Sequence, residues 1–210
     1  MPRVSHSEAE REQMRQRILA AARTLFQEGG LEAVSMRAIG RRVGLTAAAL
    51  YAYFPDKAAL LRALWHDALH DLTVRLQRIS ADEADPLAAI RALAAAYTDF
   101  AEEDPVRFRV LFLRADATPE QTMADQPDIY TPYLLLRAQI ETALRRGLFD
   151  PASDADLVAQ AIWGAVHGVL TLHNDCLDFS FRPLRLLAGL VVDTMIDGLA
   201  RPPRTRKARP

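Results

Sequence analysis

The sequence predicts an all-α protein of about nine helices: an N-terminal three-helix unit followed by a larger helical body. Three observations carry this. Apolar residues recur at helical spacing almost throughout, as in Met14, Ile18, Leu25 and Phe26. No Val/Ile/Thr-rich stretch alternates apolar and polar residues between turn signals, so no strand is expected. Residues that start and stop helices punctuate the chain at helix-length intervals.

Ser7 and Glu10 form a capping box for a first helix over about residues 8–28, which Gly29-Gly30 stops. Ser35 caps a second helix ending at Gly44, and Thr46 caps a third ending before Pro55. These two are about seven residues each, too short to persist alone in water, so packing has to hold them. Ile39, Val43, Leu45 and Leu50 supply the apolar faces. Asp56 caps a long fourth helix that runs to about Ser80. Asp85-Pro86 opens a fifth, stopped by Asp104-Pro105. A short sixth covers roughly 106–114, and the polar stretch 115–126 is expected to be a mobile loop. A seventh runs from about 128 to Arg146, with Gly147 after it. Asp154 caps an eighth to about Asp175, and Pro183 opens a ninth ending near Ala200.

Composition bounds the function. Half of the 210 residues are apolar and a quarter charged, enough to bury a core without crosslinks. The single cysteine, Cys176, excludes an internal disulfide, suits a reducing compartment and is expected to be buried. The polar N-terminus is not expected to be a signal peptide. The longest mostly apolar run, Ala161 to Leu172, is shorter than the roughly 20 residues of a membrane span. A cytoplasmic, nucleoid-associated protein is expected.

Charge is unevenly placed. Residues 1–57 hold nine Lys/Arg against six Asp/Glu, whereas 58–200 hold twelve against twenty-one. Residues 201–210, expected to be a disordered tail, add Arg201, Arg204, Arg206, Lys207 and Arg209. A basic head on an acidic body points to a head that meets a polyanion. The two short helices joined by a tight turn at Gly44 are the helix-turn-helix pattern, whose second helix enters the DNA major groove.

The stretch SMRAIGRRVGLTAAALYAYFPDKAALLRAL resembles the N-terminal signature of the TetR (tetracycline-repressor-like) family of transcriptional regulators. The resemblance rests on Ser35, Ile39-Gly40, Gly44-Leu45-Thr46, Ala49, Leu50-Tyr51, Tyr53-Phe54 and Asp56-Lys57. Gly40 stands where the family usually has alanine, a departure expected to weaken the second helix slightly. A weaker likeness lies in DPVRFRVLF (104–112) and in Trp163-Gly164 with His167-Gly168, which resemble family members with a Trp-Gly…His-Gly helix. The resemblance implies a DNA-binding domain over 8–54 and a ligand-binding and dimerisation domain over 55–200. It also implies a repressor that binds a palindromic operator as a homodimer, through its eighth and ninth helices, until a small hydrophobic or aromatic effector releases it.

The candidate DNA-binding residues are Ser35, Arg37, Arg42, Thr46, Ala47, Ala48, Tyr51, Tyr53 and Lys57. Thr46 opens the third helix, where amides and a hydroxyl suit a phosphate. Tyr51 and Tyr53 carry hydroxyls of phosphate reach, and Arg37 and Arg42 offer cations. Residues 47, 48, 49 and 52 are all alanine, which can touch only a thymine methyl, so discrimination falls to Arg37, Tyr51 and DNA shape. Leu50 and Phe54 are expected in the core.

Among the body's aromatic residues, Tyr97, Phe112, Trp163 and His167 are the candidate effector contacts, Trp163 and His167 being one helical turn apart. Leu186, Leu187, Leu190, Val191, Thr194 and Met195, with Gly164 and Gly168, suit a helix–helix dimer seam. His66 and His70 have metal-compatible spacing, but no third ligand is near, and no nucleophile motif or phosphate loop occurs. Neither an enzyme nor a cofactor is expected. The alternative is a DNA-binding accessory protein whose body binds a protein partner in place of a ligand.

Overall fold

The structure, a computed structural model, describes residues 7–111, 130–176 and 178–200. Among the described residues there are nine α-helices and no strand. Phe112, the stretch 115–126 and the basic tail 201–210 lie outside the described residues. The helices form two compact units. Residues 7–69 and 106–111 make one, and 70–105 with 130–200 make the other.

The first unit begins with α1 (Glu8–Ala33), α2 (Met36–Val43), α3 (Ala47–Tyr51) and the start of α4 (Lys57–Asp82). At the start of α1, Ser7 Oγ accepts from the Glu10 amide and the Glu10 carboxylate accepts from the Ser7 amide. Gly29-Gly30 interrupts α1 as expected, since neither glycine keeps helical backbone angles. Gly30 takes the left-handed conformation at φ +65°, and a last helical stretch resumes to Ala33. Ser35, Thr46 and Asp56 each accept an amide three residues ahead, capping α2, α3 and α4. Gly44 closes α2 at φ +76°.

Two expectations change here. The third helix is five residues long instead of about seven, because Ala52, Tyr53 and Phe54 already turn back onto the Ala49 and Leu50 carbonyls. Gly40 is more than a weak helix former. The Leu45 amide donates to the Gly40 carbonyl at 2.8 Å, and a Cβ at position 40 would stand 2.7 Å from the Leu45 carbonyl oxygen. The turn between α2 and α3 therefore closes onto a space only glycine leaves open.

The short helices are held by burial. Ile39 and Leu50 are fully buried with Ile18, Ala22, Val34, Leu60 and Phe54 in one core. Each of the larger side chains contributes roughly 1.5–3 kcal/mol, enough to offset the poor intrinsic stability of a five-residue helix. Val106 of α6 (Pro105–Leu111) joins this core. Asp67 ties three helices: Arg23 Nη2 of α1 lies 2.9 Å from its Oδ2, and Arg107 Nη2 of α6 donates to its carbonyl oxygen at 3.1 Å.

In the second unit α5 (Pro86–Glu103) packs against α7 (Thr131–Arg145), α8 (Ala155–Asp175) and α9 (Leu184–Leu199). Asp85 and Asp154 cap α5 and α8. The buried faces carry Ile90 and Leu93 from α5, Ile140 from α7, Ile162, Val166 and Leu170 from α8, and Ala188, Val192 and Ile196 from α9. Cys176 is exposed, against expectation, because it is the residue that ends α8.

Candidate nucleic-acid interface

The helix pair α2–α3 separates its residues cleanly. Leu50 and Ile39 point inward, while Ser35, Arg37, Thr46, Ala47, Ala48 and Tyr51 are exposed. Tyr51 keeps half of its surface in solvent. Ser35 and Thr46 spend their hydroxyl acceptors on the amides of Ala38 and Ala49, so each fixes a helix start while its O–H remains a donor. Arg37 has no hydrogen-bond or ion-pair partner among the described residues.

Three predicted contacts have intramolecular partners. Arg42 forms a two-pronged pair with Glu28, Nη1 to Oε2 at 2.9 Å and Nη2 to Oε1 at 2.8 Å. Arg42's hydrogen bond holds the Glu28 carboxyl below its ordinary value, and Glu28 raises the guanidinium above its own. Both are solvent-facing, so water and salt screen the attraction. Lys57 Nζ donates to the Leu31 carbonyl at 3.1 Å, tying the end of α1 to the start of α4. Tyr53 is half-buried against the head's core.

Arg41 was missed in the sequence. It stands beside Arg42, is exposed, and has no partner among the described residues. The signal was the adjacent Arg-Arg pair near the end of α2, where the i+4 neighbour of Arg37 is position 41, one helical turn away.

In the second unit the structure brings together three of the four candidate effector contacts. Tyr97 Oη lies 3.0 Å from His167 Nδ1, and His167 Nε2 lies 3.3 Å from Thr171 Oγ1. Trp163 sits 6.3 Å from the His167 ring and 6.1 Å from Tyr133, centroid to centroid. Tyr133 donates to the Asp156 carboxylate. Burial pushes the Tyr97 hydroxyl well above its ordinary range, opposed by a hydrogen bond from Trp163. Burial lowers the His167 pKa, favouring the neutral imidazole. The fourth candidate, Phe112, lies outside the described residues. Of the other aromatics, Phe100 and Phe108 are buried, and Trp65 packs against the head's core.

The outer faces of α8 and α9 are apolar and open. Leu157 and Leu172 on α8, and Leu186 and Leu190 on α9, are each more than half exposed. A Cβ built on Gly164, Gly168 or Gly189 meets nothing within 4 Å. By length and composition α8 would suffice to cross a membrane, and 28% of that stretch is buried.

Residues 18–64 match the bacterial regulatory proteins of the tetR family, and residues 90–197 match the tetracyclin repressor-like C-terminal domain. The chain belongs to the TetR family. It is a helix-turn-helix DNA-binding regulator, and dimerisation and ligand binding are typical of that family. The nucleoid occlusion factor SlmA of Vibrio campbellii is 30% identical over 175 residues, covering 80% of this chain and 87% of that protein. SlmA of Photobacterium profundum is 28% identical over the same shares of the two chains. Among solved structures, the TetR-family regulator PfmR of Thermus thermophilus is 26% identical, with a TM-score of 0.73 over 88% of this chain and all of that one. A protein of unknown function from Rhodococcus sp. RHA1 is also 26% identical, with a TM-score of 0.76 over 96% of this chain and all of that one. The first match takes in α2 and α3, and the second takes in most of α5 through α9.

Proposed function

We propose that this chain is a ligand-responsive repressor that binds a palindromic operator as a homodimer in the cytoplasm. The observation that carries the reading is the division within α3: Leu50 is fully buried while Ala47, Ala48 and Tyr51 stay exposed beside Arg37 and Arg41. That is the arrangement of a reading helix, whose scaffold holds it from behind. Thr46 contacts phosphate, Arg37, Arg41 and Tyr51 reach phosphates or base edges, and the alanines pack against thymine methyl groups. Ser35, Arg42, Tyr53 and Lys57 then act partly by holding the head together.

Pairing runs through the open apolar faces of α8 and α9, which need a partner more than a lone soluble chain does. Residues 8–54 read DNA, and 55–200 pair and sense. The effector is a small hydrophobic or aromatic molecule that meets Tyr97, Trp163 and His167, where rings and a few polar groups converge. The unbroken α4, 26 residues and about 39 Å long, carries the response to the head. Effector and operator weaken each other's binding by the same factor.

A second reading is favoured by the relatives named nucleoid occlusion factors: a DNA-bound protein whose body engages another protein. One experiment separates the two. The purified chain on its enriched DNA site is titrated with a library of small aromatic and hydrophobic compounds while release from DNA and thermal stability are followed. Release accompanied by stabilisation of the free protein supports the repressor. Retention on DNA with every compound, together with capture of a protein that leaves DNA binding intact, supports the accessory role.

A further inference from the structure

We propose that Arg11 and Arg15 of α1 are positioning residues for DNA reading, forming a clamp that fixes the turn after α3. The proposal rests on the reading of α2–α3 as the DNA-binding head. A five-residue helix leaves its last carbonyls without intrahelical partners. The Ala52 carbonyl, just past the end of α3, is answered from 41 residues earlier: Arg11 Nη2 donates to it at 3.2 Å. One turn along α1, the Arg15 guanidinium lies 4.6 Å from the centre of the Phe54 ring, a cation–π contact. The two arginines are four residues apart on one face of α1, and they hold both ends of the segment 52–54. Between those ends is Tyr53, which lines an open groove with Glu8, Arg11, Glu12 and Arg15.

That groove argues for geometry over charge. Two carboxylates and two guanidiniums share it, with Arg15 Nε 4.0 Å from Glu12. The balance leaves no net positive charge to draw a phosphate. The arginines act on DNA through the orientation of Tyr53, inside the clamped segment, and of Tyr51 just before it.

The test uses the full-length chain and a duplex carrying the site that the wild-type chain enriches from a random pool. Affinity is measured over a series of KCl concentrations for wild type, Arg11→Ala and Arg15→Ala. Each variant is expected to bind that site roughly threefold to tenfold more weakly, with the slope of log K against log salt unchanged. Its affinity for random duplex is expected to weaken by a smaller factor, since misplaced tyrosines lose uncharged phosphate contacts as well. Amide exchange at Tyr53 and Phe54, which bond to the Leu50 carbonyl, is expected to quicken. A slope reduced by about 0.9 per variant would make these arginines direct phosphate contacts and overturn the clamp. Unchanged affinity and exchange in both variants would also overturn it. Wild-type chain that enriches no site would remove the DNA-reading premise itself, an outcome distinct from the other two.

Discussion

Tyr97 Oη and His167 Nδ1 lie 3.0 Å apart, with their rings stacked at 24°. In the neutral tautomer that carries its proton on Nε2, the tyrosine hydroxyl donates to Nδ1 and the Nε2–H faces Thr171 Oγ1. Protonation would add an N–H at Nδ1, facing the Tyr97 hydroxyl that had donated there.

This arrangement predicts a pH response. Burial lowers the His167 pKa from 6.5, so the unfolded chain binds the proton more readily than the folded one. Stability is therefore complete above about pH 6.5 and falls as pH drops below it, until the folded-state pKa is passed. Melting temperature followed between neutral and mildly acidic pH is expected to decline in wild type and to decline less in His167→Gln. Equal slopes in the two proteins would mean that the histidine is not the group responsible.

Gly40→Ala tests the turn. On helix propensity alone the change would stabilise α2 by about 1 kcal/mol. The Leu45 carbonyl oxygen, 2.7 Å from the added Cβ, is backbone and cannot swing aside. Denaturant melts are expected to show a net loss of about 1–3 kcal/mol, as overpacking typically costs. A more stable variant would show that the turn opens freely.

Glu28→Gln releases Arg42. The pair now spends a guanidinium on a carboxylate in the head. The variant is expected to bind random duplex more tightly and with a steeper salt dependence, by up to about 0.9 in slope if Arg42 takes up one phosphate. An unchanged slope would place Arg42 away from DNA.

Gly164→Ile and Leu190→Glu test the pairing face. Open space surrounds the Gly164 Cβ position within a single chain, so a bulky side chain there leaves the fold alone and obstructs only a close neighbour. Leu190 is 65% exposed, so a charge there is tolerated unless a partner covers it. Sedimentation is expected to find monomers in both variants and a dimer in wild type. Dimers in both variants would move the interface off α8 and α9.

What the sequence made legible was local. Ser7 with Glu10, Ser35, Thr46, Asp56, Asp85 and Asp154 each act on an amide two or three residues away, so every helix start they mark is where the residues put it. Leu50 and Phe54 were legible as core because the apolar period around them leaves no other face. Gly40 was misjudged because its neighbour, the Leu45 carbonyl, arrives only once the turn closes. Arg42 with Glu28, Lys57 with Leu31 and Arg11 with Ala52 join residues 14, 26 and 41 positions apart. No periodicity encodes such pairings. Lys57 shows the consequence: changing it disturbs the α1–α4 junction as well as any phosphate contact, so Tyr51 is the cleaner substitution for testing the DNA surface.

The most direct test of the whole account is the stoichiometry and symmetry of the DNA complex. Sites are enriched from a random duplex pool at physiological salt, and the mass of the complex on the best site is then measured for wild type and Tyr51→Ala. The account predicts an inverted repeat occupied by two chains, or a multiple of two, with roughly tenfold or greater preference over random DNA, a preference that Tyr51→Ala loses while remaining dimeric. A single chain on an unrepeated site, or no enrichment at all, would contradict it.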